Sequence, residues 1–153
     1  MNIKEKINYY ADNMNLRFVK ANYIKLSILE QEVRRYVKKS IKNNCLPDFT
    51  SQDLRLLCIK LGKIHKTVNK KIEFISLKDR LKKDESKTIF TELNDIIEYI
   101  KVADYVQRVY SLLNFLEINL DLLEVKINNE KLLADEKFND EVIATINAFL
   151  QNI

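Results

Sequence analysis

Apolar residues recur along this chain at intervals of three and four, the spacing that lines one face of an α-helix. Residues 1–12 read as a short lead-in helix. A long pattern over 15–43 follows, carried by Leu16, Val19, Tyr23, Leu26, Leu29, Val33 and Val37. Asn43-Asn44-Cys45-Leu46-Pro47 then supplies a stop signal. Thr50 is placed to cap the next helix, with Asp53 three residues on and Phe49 and Leu54 at the spacing of a hydrophobic staple. From Leu54 an apolar stripe runs through Leu57, Cys58, Leu61, Ile64, Val68 and Ile72 to about residue 81.

A polar turn is expected at 82–86, with Ser86 or Thr88 capping a helix that carries Ile89, Leu93, Ile96, Ile97 and Ile100. Asp104 and Gln107 mark either a restart or a helix that runs through. The pattern continues at Val106, Val109, Leu113, Leu116, Leu120, Leu123 and Ile127. Phe115, Ile118, Leu122 and Val125 fall on other faces, which predicts a central, largely buried helix. Asn128-Asn129 and Asp135 bracket a break, and Phe138, Val142, Ile146, Phe149 and Ile153 outline a last helix. The expected fold is all-α, one domain over 1–153, a bundle of five or six helices.

Composition narrows the functional classes. One Gly and one Pro in 153 residues exclude glycine-rich phosphate loops and make tight β-hairpins improbable. Gly62, inside the third apolar stripe, reads as a close-packing point against a neighbouring helix. Cys45 and Cys58 fit a reduced, cytoplasmic setting better than a disulfide framework. No run approaches the ~18 apolar residues of a membrane span, so no membrane partner is expected. His65 is the only histidine, too few for a di-iron centre, and no catalytic motif accompanies it. The chain is read as non-enzymatic, with no cofactor and no metal.

Charge is divided unevenly. Residues 1–87 hold 21 Lys and Arg against 10 Asp and Glu, a balance of +11. Residues 88–153 hold 5 against 12, a balance of −7. At 100° per residue, Arg55, Lys63, Lys66 and Lys70 share a stripe opposite the apolar side of their helix, and Arg34, Lys38 and Lys42 stack at four-residue spacing on the preceding one. Arg80 adds charge near the end of the third helix. Such rows suit a phosphate backbone, so RNA or another nucleic acid is a candidate partner. Glu117, Asp121 and Glu124 form an acidic stripe suited to a protein partner, including head-to-tail contact between copies. Mutual neutralisation of the two halves within one bundle is the competing reading. A second functional class is a protein-interaction bundle without nucleic acid, such as an inhibitor, an immunity-type protein or a viral antagonist.

Phe49-Thr50-Ser51-Gln52-Asp53-Leu54-Arg55 resembles, with one residue inserted, the threonine-serine-glutamine-x-arginine helix start of the small helical subunit of type III-A CRISPR interference complexes. Leu77-Lys78-Asp79-Arg80 stands where that family has a basic helix. Leu93-Asn94-Asp95-Ile96-Ile97 and Leu113-Asn114-Phe115-Leu116-Glu117 resemble its closing helices, so the likeness covers residues 45–125. The resemblance implies a non-catalytic antiviral-defence subunit, present in several copies along a guide–target RNA duplex. It also implies that Arg55 and Arg80 face the RNA.

Overall fold

The computed structural model describes residues 1–81 and 86–152, with side chains described outside 75–93 and 138. Four helices account for the described residues: α1 (Ile3–Asn13), α2 (Leu16–Asn43), α3 (Ser51–Leu81) and α4 (Ser86–Gln151). The expected all-α class holds, and the expected count of five or six does not. Neither Asp104 nor Asn128-Asn129 interrupts α4, which runs for 66 residues, or roughly 99 Å at 1.5 Å per residue. Asparagines have modest helix propensity, but without proline or glycine nothing in 104–135 forbids the helical backbone.

Local signals set the helix ends. The Asn2 side chain caps α1 by accepting from the Glu5 N–H at 2.8 Å, and Asn15 caps α2 by accepting from the Phe18 N–H at 2.8 Å. Asn22 departs from helical geometry inside α2 (φ −128°, ψ 21°), and its side chain donates to the Phe18 carbonyl. α2 ends at Asn44, the one described non-glycine residue with positive φ (49°). Asparagine tolerates this left-handed C-cap better than most residues. Thr50 and Asp53 form the expected reciprocal cap. The Thr50 N–H donates to Asp53 Oδ2 at 2.9 Å, and Thr50 Oγ1 accepts from the Asp53 N–H at 3.3 Å. Phe49 and Leu54, the expected staple pair, are both buried.

α3 packs chiefly on α4; α2 also packs on α4, and α1 bridges α2 and α3. α2 and α3 each pack on both α1 and α4 and chiefly not on each other. The shared core takes Ile7 from α1, Leu26 and Val33 from α2, Leu57 and Leu61 from α3, and Leu113 and Leu120 from α4. Burying each such side chain contributes about 1.5–3 kcal/mol. The Tyr105 hydroxyl of α4 reaches Ser27 of α2 at 3.0 Å and also donates to the Tyr23 carbonyl.

Two expectations about burial are corrected. α4 is buried on one face only: Phe115 (65% exposed), Ile118, Leu122 (63%) and Val125 stand on the surface. Among the described residues no element packs on this side of α4 to cover them. The segment expected to be a separate last helix is the continuation of α4, and its described residues from Asn128 on are all exposed. Ile97 and Ile100 are likewise exposed. The side chains of Ile89, Leu93 and Phe138 lie outside those described.

Candidate functional site

Most of the acidic stripe of α4 is turned into the fold. Glu117 is buried and accepts from Arg55 Nε of α3 at 2.7 Å. Glu124 accepts from the Ser51 N–H at 2.9 Å and from Ser51 Oγ at 2.8 Å. Asp121 Oδ1 stands 3.5 Å from the same hydroxyl. The first amide groups of a helix lack intrahelical acceptors and carry its positive dipole end, so these carboxylates complete the start of α3. The expectation that Glu117 and Glu124 face a partner is corrected: both hold α3 against α4, whereas Asp121 stays exposed beside them. The sequence reading missed this because the pairing partners lie 62 to 73 positions away.

Two expected nucleic-acid contacts are also drawn into the fold. Arg55 donates to Glu117 and, through Nη1, to Gln52 at 2.9 Å. Its guanidinium is held above its ordinary pKa, first by the hydrogen bond to Glu117 and then by that carboxylate's charge. Arg34 donates to Glu30 at 2.6 Å, and Glu30 is a buried carboxylate. Both arginines keep part of the side chain in solvent (39% for Arg34, 44% for Arg55). Lys20 and Glu98 add a further pair between the basic and acidic halves at 3.0 Å. Part of the charge asymmetry is thus internal neutralisation across the helix interfaces.

What remains basic at the surface falls into two separate rows. Lys63, Lys66 and Lys70 are exposed on the outward side of α3, and Lys38 and Lys42 on α2. Among the described residues no carboxylate lies within ion-pair distance of any of the five. The two rows stand on different helices, α2 and α3, that do not pack chiefly on each other. The side chain of Arg80 lies outside the described side chains.

Among the described residues no group of three or more His, Cys, Asp or Glu side chains is placed to hold a metal ion. His65 is half-buried on α3, with Nδ1 3.4 Å from the Asn69 amide. The two cysteines are unpaired. Burial pushes the Cys58 thiol up to about 12, with the Glu117 charge adding to the shift. That thiol stays protonated and inert near neutral pH. Gly62 faces Tyr110 of α4, but an added Cβ would stand 3.8 Å from the ring, an ordinary contact. The close-packing reading of Gly62 is therefore corrected. A groove of about 410 Å³ lies between α1 and α2, lined in part by Tyr9, Tyr10, Phe18 and Glu32, and it is open to solvent.

The most distinctive surface was not foreseen. Phe115, Ile118, Leu122 and Val125 are spaced three, four and three apart on the side of α4 turned away from the core. The same phase continues through Leu132 and returns at Ile143, Ile146 and Leu150, all between 52% and 61% exposed except where noted above. This is the seven-residue alternation of a coiled-coil seam. It was legible in the sequence as a second phase within 113–150, beside the phase that builds the core.

No described helix is long and apolar enough to cross a membrane. Compared with protein-family models, with curated proteins and with solved structures, the chain matches none.

Proposed function

We propose that this protein is a non-catalytic helical interaction protein whose outer α4 face binds another protein. One observation carries the reading: a single helix builds the core with one face and exposes a second apolar stripe on the other. Monomeric surfaces rarely keep long contiguous apolar patches uncovered, and a helical stripe at heptad spacing suits a partner helix. The unpaired cysteines fit a reduced cytoplasmic setting. A photo-cross-linking amino acid placed at Leu122 or Ile146 in the native cell tests the reading. Protein adducts at both positions support it; adducts at neither refute it.

A second reading rests on Lys63, Lys66 and Lys70. Their exposed row suits contact with an RNA backbone, the role implied by the resemblance to the CRISPR small subunit. Arg55 would contribute only through the part of its guanidinium that Glu117 and Gln52 leave open. Three phosphate contacts on a single strand give a slope of about −2 in log affinity against log salt. Reversing all three lysines to Glu should abolish a low-salt electrophoretic shift; an unchanged shift refutes the reading.

A further inference from the structure

We infer that the partner of the outer α4 face is a second copy of this chain, running antiparallel, so that each copy's C-terminal extension lies along the other's bundle. The inference rests on the reading of that face as a protein-binding surface and names its occupant.

Heptad lettering fixes the seam. Positions a are Phe115, Leu122, Asn129, Glu136, Ile143 and Leu150. Positions d are Ile118, Val125, Leu132, Asn139 and Ile146. The seam is apolar at both ends and polar in the middle. In an antiparallel pair, a positions meet d positions of the other chain. One register, with its two-fold axis at residue 134, matches the outer layers of the two chains and leaves Leu132 against Glu136 beside the axis as its unfavourable layer. Ile118 meets Leu150, Leu122 meets Ile146, and Val125 meets Ile143. Asn129 meets Asn139, so the two amides satisfy each other inside the seam. Polar residues at such positions specify register, because shifting the antiparallel pair by a heptad either way sets Asn129 against an apolar side chain, Leu132 or Ile146.

Charge favours the same arrangement. Antiparallel chains face e positions with e positions, which sets Lys126 against Asp140 twice in the dimer. The unfavourable pairing is Asp135 against its own copy at the axis. A parallel dimer would set Glu136 against Glu136 and Asp135 against Asp140 twice. Its favourable pairing, Asp121 with Lys126, also forms twice, so the parallel dimer carries three repulsive pairings where the antiparallel one carries one.

Space agrees too. The extension from Asn128 onward is exposed on every described side, whereas α4 up to Ile127 has one face committed to the bundle. The antiparallel register brings a free helix onto each open stripe and leaves the core face untouched. A two-fold contact of this kind closes after two copies and does not grow.

Sedimentation of the purified full chain over a range of concentrations, with cysteine cross-linking, tests the inference. In a Cys45→Ser background, with Cys58 inert, the Leu122→Cys chain is mixed with the Ile146→Cys chain and oxidised. A dimer that cross-links only in the mixture is the expected result. Cross-linking of either variant with itself alone indicates parallel chains and overturns the register. Assemblies that grow with concentration indicate head-to-tail contact and overturn it as well. A monomer at all concentrations overturns the second copy as occupant. If Leu122 and Ile146 still give protein adducts in the cell, the interaction reading survives that failure. Lys126→Asp should weaken the dimer about tenfold, and adding Asp140→Lys should restore it. Both substitutions sit on exposed positions, so the fold is not at stake.

Discussion

The two long faces of α4 share one backbone and do opposite things. On the inner face, Val106, Leu113 and Leu120 are fully buried against α2 and α3. On the outer face, Phe115 and Leu122 are as apolar and stand about two-thirds exposed. Hydrophobicity alone therefore does not place a residue in the core. Which stripe is buried is decided by where α2 and α3 can reach. Polar contacts reinforce the choice, since Glu117 and Glu124 bind α3 beside the inner stripe.

The sharpest way to break the comparison is to remove the same atoms from each face. Leu113→Ala on the inner face should destabilise by about 2–5 kcal/mol, because it leaves a cavity that helices cannot close. A denaturant titration at low protein concentration reads this as a lower midpoint. Glu117→Gln comes next, at about 1–3 kcal/mol, since it removes the charged partner of Arg55 in a buried place. The same substitution takes away one of the two causes that raise the Cys58 thiol.

Cys58 gives the comparison a pH dependence. Its thiol is raised from 9.0 to about 12 in the folded chain. The unfolded chain loses that proton first, so the folded state is favoured fully below pH 9 and loses this advantage as pH rises toward 12. The alkaline loss of stability should be smaller in Cys58→Ala. At pH 8 a thiol reagent should titrate one group, Cys45, in the native chain and two after denaturation.

Gly62→Ala should stabilise by about 0.5–1 kcal/mol, because a Cβ fits beside Tyr110 and the helix gains propensity. A rise in the thermal midpoint checks it. Leu122→Ala on the outer face should change single-chain stability by less than about 0.5 kcal/mol. It should weaken self-association instead, read by sedimentation.

Much of the fold was legible because local chemistry determines it. Thr50 with Asp53, the Phe49–Leu54 staple and the asparagine stop after α2 are short-range signals, and the structure keeps each of them. The helix count failed where a weak local signal, Asn128-Asn129, met no obligatory breaker. The acidic stripe and Arg55 were misplaced for a different reason. A charge row on a helix has the same spacing whether it faces solvent or a neighbouring helix, and only the α3–α4 packing distinguishes the two. The seam of α4 was visible as spacing, but its exposure depends on what packs beside it.

Amide hydrogen exchange along α4, measured at low and high protein concentration, tests the two-faced helix most directly. A lone helix extending past its bundle is marginal in water. The account predicts that residues 103–127 are protected at both concentrations, whereas 130–150 exchange rapidly when dilute and become protected when concentrated. Equal protection of 130–150 at every concentration would contradict it, as would an extension that stays unprotected throughout.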